Sequence, residues 1–146
     1  MYNALLHAHS GLRWIVLVLI IWALGQAISG WMGQKEYGKT DRLSALFAMI
    51  FTHIQLLIGL VLYFISPKVA FVEGVMADSV MRFYTVEHIL LMVIAIALIT
   101  VGFSTAKRTA DDVARHKKIA VYYGIGLLLI LISIPWPFRE LGAGWV

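Results

Sequence analysis

Apolar residues along this chain fall in four long runs. They extend from about Leu12 to Met32, Leu43 to Ile65, Thr85 to Ser104 and Ile119 to Trp136. Roughly 20 consecutive, mostly apolar residues are enough for a helix to cross the hydrocarbon of a bilayer. The joints between the runs read "GQKEYGKTDR", "SPKVAFVEGVMADSVMRFY" and "STAKRTADDVARHKK". They hold most of the charge and the Pro, Gly and Asp punctuation of turns. Short joints make successive helices antiparallel neighbours. The pattern therefore predicts an all-α integral membrane protein, a single domain over residues 1–146, folded as an antiparallel up-down four-helix bundle. The middle joint alternates apolar and polar residues. It is expected to form a short amphipathic helix on the outer surface between spans 2 and 3.

Composition sharpens this picture. Residues of the AVILMFWYC set make up 61% of the chain and charged residues 14%, with a mean hydropathy of +0.86. A soluble domain of this length could not hide that much apolar surface. The absence of cysteine excludes disulfides, thiolate ligands and c-type haem attachment. The first apolar stretch is too long for a cleavable leader. The net charge of +4 points to topology rather than to nucleic acid. Lys35, Lys39, Arg42, Lys107, Arg108, Arg115, Lys117 and Lys118 lie in the first and third joints, whereas the opposite side has Arg13, Lys68, Arg82 and Arg139. The positive-inside rule then makes the Lys-rich side cytoplasmic. The expected location is the bacterial inner membrane, with both termini outside. Small residues mark expected helix contacts: Gly25, Ser29 and Gly33 on the first span, Ala95 and Gly102 on the third, Gly124 and Ser133 on the fourth.

Candidate chemistry rests on histidine. The five are His7, His9, His53, His88 and His116, and an ionisable residue inside a bilayer is expensive enough to ask for a function. His7 and His116 read as interfacial polar residues. Depth, at about 1.5 Å per residue, sorts the others. His88 stands 19 positions before Lys107, near the outer edge; His9 precedes Trp14 by 5, at or just above that edge; His53 follows Arg42 by 11, close to the midplane. Two axial ligands of one haem need a common depth. His9 and His88 meet this best, and both lean outward because both spans run inward. A His53–His88 pair, mismatched by about 12 Å along the axis, is the second choice.

Other residues join that hypothesis. Arg13 shares the face of His9 in "LLHAHSGLRW" and would pair with one haem propionate. Arg82 would reach the other. Gly59, at nearly the depth of His88, would let a porphyrin approach the backbone. Gln55, one turn deeper, would support a polar ring edge or a water. Glu87 does not share the face of His88 and would orient a neighbouring polar group.

The stretches "HAHSGLRW", "THIQLLIGLVLYF", "VEHILLMVIAIALITVGFS" and "RHKKIAVYYGIGLLLILISIPWPF" resemble the small four-span bacterial membrane proteins of the cytochrome b type, over nearly the whole chain. More distantly, three of them are similar to one half of the haem A synthase family. The resemblance implies haem b as cofactor, with His9 and His88 as iron ligands and "QLLIG", Gln55 to Gly59, on the span between. Ser10 follows His9 where that family has arginine, and no acidic residue precedes it, so the family's oxidation chemistry is not implied.

Three functions compete at this point. The first is electron transfer near the outer face through bis-histidine haem, which leaves no open iron position, with a quinol or a respiratory-type membrane partner. The second is a cofactor-free accessory subunit of a larger membrane complex, as a homo- or hetero-oligomer. The third is an outer-face copper or zinc site built from His7, His9 and His88. No motif for nucleotide binding, nucleophilic catalysis or paired-carboxylate chemistry is present.

Overall fold

A computed structural model describes residues 1–145. It has four long helices: α1 (Tyr2–Met32), α2 (Lys39–Ile65), α3 (Ser79–Lys107) and α4 (Asp112–Ser133). All four are long and apolar enough to cross a membrane. The shortest, at 22 residues, spans about 33 Å, against a hydrocarbon core of about 30 Å. Each helix packs on the next, and α4 closes on α1. The N-terminal parts of α1 and α3 meet the C-terminal parts of α2 and α4 at one end, so neighbours run antiparallel. The basic first and third joints lie at the other end.

Helix boundaries follow local chemistry and depart from the apolar runs in three places. First, α1 starts at Tyr2, well before Leu12, because Leu6, His9, Ser10 and Arg13 form an inward stripe at helical spacing and extend its packing. Second, the middle joint does not form a separate surface helix. Pro67 and Gly74, the latter at φ 86°, keep the chain in turns up to Asp78. The Asp78 carboxylate then accepts from the Met81 amide at 2.8 Å, an N-cap that starts α3 itself. Within α3 the five residues Phe83–Glu87 form a π-helical turn, closed by the His88 amide donating to the Phe83 carbonyl. Third, α4 stops at Ser133, short of Trp136, because Pro135 forces Ile134 out of the helical region.

The core runs along the bundle axis from Val16, Ile20 and Ala27 of α1 to Ala45 and Ala48 of α2, Ala95 and Ile99 of α3, and Ile119, Tyr123 and Ile130 of α4. The Tyr123 hydroxyl donates to the Ala45 carbonyl at 2.7 Å, which satisfies a polar group in the dry interior. Small residues permit close approach, although not always those expected. A Cβ at Gly126 would stand 2.9 Å from Ile99 Cγ1, and one at Gly102 would stand 2.5 Å from Tyr122 Cβ, whereas Gly25 has nothing within 4 Å. The face of α1 carrying Gly25, Ser29 and Gly33 is therefore not its packing face. Val18, Ile21, Leu57, Phe64, Leu128 and Ile132 stay exposed on the flanks, a surface compatible with lipid.

Candidate histidine site

His9 and His88 come together from α1 and α3 with ring centres 6.4 Å apart and planes at 75°. Two imidazoles bound to one metal at about 2.0–2.1 Å, each ring centre about 1.2 Å behind its nitrogen, would stand a little over 6 Å apart. The observed centre-to-centre distance is of that size, and the rings meet edge to face.

The two rings are held differently. His88 Nδ1 lies 2.7 Å from the Ser133 carbonyl. A carbonyl only accepts, so Nδ1 carries the proton and the neutral ring keeps its lone pair on Nε2. A backbone carbonyl on one ring nitrogen fixes the orientation of the other in the same way as it does for histidines that bind metals. The Ser133 hydroxyl also donates to the His88 carbonyl at 3.2 Å. The π-helical turn ends at this residue; such turns re-aim side chains and recur at functional sites. Tyr63 steadies the turn by donating to the Thr85 carbonyl at 2.8 Å. On the opposite wall, the His9 ring lies over Gly59, where a Cβ would stand 3.0 Å from its Cε1. Gln55 Nε2 donates to the His9 carbonyl at 2.8 Å. Gly59 thus makes room for the imidazole, and Gln55 ties α2 to α1 beneath it.

Both rings line a cavity of about 190 Å³ between the helices, walled also by Arg13, Gln55, Gly59 and Lys68. His9 Nδ1, Gln55 Oε1 and Arg13 Nε are buried and have no hydrogen-bond partner. Buried polar groups are paired in nine cases of ten or more, and an unpaired one costs about 1–3 kcal/mol. Three of the four such atoms among the described residues gather at this cavity; the fourth, His116 Nδ1, lies at the other end of the bundle.

The C-terminal segment forms one wall of the cavity. Gly142, Ala143 and Gly144 line it. The segment turns back at Glu140, at φ 56°, and buries Leu141. Four donors hold its carbonyls: Arg13 Nη2 on Trp145 at 2.6 Å, Trp14 on Trp145 at 3.0 Å, Lys68 on Gly142, and Tyr84 on Leu141 at 3.1 Å. Trp14, Trp136 and Trp145 make a triangle with centres 6.1, 6.3 and 6.4 Å apart. The Arg13 guanidinium lies 5.4 Å from the Trp14 ring centre.

Several expectations need correction. Arg82 does not line the cavity; its Nε is on the Glu87 carboxylate at 2.7 Å and its Nη1 on the Met76 carbonyl. The second cation at the cavity is Lys68, which lies in the middle joint expected to form a surface helix. His53 is committed elsewhere, with Nδ1 on the Met49 carbonyl at 2.7 Å and Nε2 near the Thr100 hydroxyl, so no His53–His88 pair forms. His7 is exposed. It precedes His9 by two residues and faces another side of the helix. Among the described residues no three His, Cys, Asp or Glu side chains converge as metal ligands. His116 stands at the Lys-rich end but is packed inside the bundle, 1% exposed and set into the groove that Gly30 leaves.

No family model, curated protein or solved structure matches this chain.

Proposed function

We propose that the chain is a multi-pass protein of the bacterial inner membrane, with its Lys-rich end in the cytoplasm, that holds a b-type haem between His9 and His88. The carrying observation is the 6.4 Å meeting of two imidazoles from separate helices inside a cavity with unpaired buried polar atoms. The apolar flanks and the segregation of basic residues to one end support the membrane reading. The resemblance to small cytochrome b-type proteins agrees with it.

In this reading His88 offers a fixed Nε2, set by the Ser133 carbonyl. His9 offers its ring with only the Gly59 contact to restrain it. Arg13 and Lys68, which now hold tail carbonyls, would take the anionic carboxylates of the cofactor. The cavity, at about 190 Å³, is smaller than the roughly 300–1,000 Å³ of ordinary ligand pockets, so a porphyrin would need the surrounding walls, the tail among them, to move aside. A haem held by both histidines would supply a one-electron couple rather than an oxygen site. Its depth near the outer edge suits exchange with a quinol or a membrane partner.

The test is a reduced-minus-oxidised absorption spectrum of the full chain purified in detergent from haem-replete cells. A reducible Soret and α band is expected, abolished by His9→Ala or His88→Ala and retained in His53→Ala and His116→Ala. A protein without those bands, or one that loses them only with His53→Ala, overturns the proposal.

A further inference from the structure

At the end of the bundle away from the histidines, a second cavity of about 430 Å³ lies among α2, α3 and α4. Its wall includes Tyr37, Lys39, Arg42, Phe103, Lys107 and Arg115. Four cations thus come from three different helices, and no carboxylate lines the space. Two acids on the helices that supply these cations are committed. Asp41 accepts the Gly38 amide at 2.9 Å as part of the α2 cap, and Asp112 pairs with Arg115 at 3.4 Å. Among the described residues, the ion pairs are Arg82–Glu87 and Arg115–Asp112. Lys39, Arg42 and Lys107 therefore face one another's charge without a protein counter-ion.

Basic residues at this end are accounted for by topology, but a shared cavity is not. Arg108, Lys117 and Lys118 lie at the same end and do not line it; Lys117 sits over the Trp31 ring and Lys118 donates to Thr109. The lining set also has a fixed frame. Arg115 donates to the Thr109 carbonyl and stacks over Tyr37 at 5.7 Å. Burial, reinforced by Asp41, pushes the Tyr37 phenol up to about 12, so its hydroxyl remains a donor. Guanidinium and ammonium donors around one space match the tetrahedral oxygens of a phosphate. Phe103 gives the same space an apolar wall.

We propose that this cavity binds a phosphate group, either the phosphodiester of an anionic lipid headgroup or free inorganic phosphate. The site is separate from the histidine cavity and independent of haem binding.

The experiment follows thermal unfolding of the full chain in neutral detergent at low salt, titrated with short-chain phosphatidylglycerol, short-chain phosphatidylcholine or inorganic phosphate. A saturable rise in Tm with phosphatidylglycerol, larger than with phosphatidylcholine, is expected. Arg42→Gln/Lys107→Gln should weaken it at least tenfold, since each charge-assisted bond is worth about ten- to a hundredfold in affinity. Both positions are exposed, and an unchanged circular dichroism spectrum checks that the fold survives. Arg108→Gln/Lys117→Gln removes the same charge outside the cavity and should have little effect. Saturation by inorganic phosphate to the same Tm supports the site with free phosphate as its ligand. Weak competition by phosphate against phosphatidylglycerol supports it with the lipid as ligand. No saturable response to either anion, or equal weakening in the two double variants, overturns it.

Discussion

Gly59 offers the sharpest separation between holding the fold and holding the histidine pair. A Cβ built there stands 3.0 Å from His9 Cε1, 3.6 Å from Nδ1 and 3.8 Å from Nε2. Comfortable carbon contacts lie at about 3.5–4.0 Å, so Gly59→Ala asks the ring to retreat by about 0.5 Å. A side-chain rotation of roughly 10° achieves this, well inside the ~30° departure that costs 0.5–1.5 kcal/mol. Alanine also gains up to about 1 kcal/mol of helix propensity. The two terms nearly cancel, and Tm should hardly move. The ligand pair is less tolerant, because a site of this kind must be held within about 0.5 Å. Haem affinity in Gly59→Ala should therefore fall about tenfold. Gly59→Leu extends the obstruction along the same line and should remove binding, with helical content retained. Gly25→Leu is the control, since nothing lies within 4 Å of a Cβ there. The assay is a haem titration of apo-protein in detergent, read at the Soret band, beside circular dichroism. A bis-histidine spectrum at full occupancy in Gly59→Leu would refute the placement of His9 as a ligand.

Three further outcomes are expected. A cysteine at Ala110 should be labelled only from the cytoplasmic side; labelling from outside would invert the proposed topology. Arg13→Ala and Lys68→Ala should each lower haem affinity about tenfold or more, as the loss of a charge-assisted contact does, with Arg13→Lys intermediate and Arg82→Ala unchanged; an equal effect of Arg82→Ala in the same titration would restore it to the site. Gly30→Ala would set a Cβ 2.2–2.4 Å from three atoms of the His116 ring, an overpacking cost of about 1–3 kcal/mol or more; adding His116→Ala should recover much of the lost Tm, and a double variant no more stable than the single would show that the groove is not filled by that ring.

How much of this was legible in sequence depends on the range of the signal. Apolar runs are local and strong, so four helices and their order could be read directly. Helix ends depend on which residues find partners. The run beginning at Leu12 concealed ten earlier helical residues, because His7, His9 and Ser10 interrupt the apolar pattern that marks a span. The amphipathic middle joint read as a surface helix because its composition is apolar. Asp78 as an N-cap was visible in principle, with Ser79 opening an uninterrupted helical stretch beyond it. The π-helical turn at Phe83–Glu87 has no sequence signature, yet it sets how the chain enters His88.

At the site, depth reasoning paired His9 with His88 because both are set by distance along a helix, a quantity that counting residues recovers. Direction around the axis and the fate of loops are not recovered that way. Arg82 was placed at the site because it ends the middle joint, but its partner is Glu87, five residues on, across the π-helical turn. Lys68 carries no local mark of function; its position depends on how the middle joint lies against the tail. The tail itself, "ELGAGW", is short, glycine-rich and ordinary as sequence. Its meaning comes from Pro135 ending α4 early and from Glu140 at positive φ, which turn the chain back over the histidines. There its carbonyls engage the same cations that an anionic cofactor edge would need. In the proposed reading one set of donors would serve two acceptors: Arg13 and Lys68 hold tail carbonyls and would take the cofactor's carboxylates once the tail moved aside. Entry and retention of the cofactor would then be coupled through those two side chains.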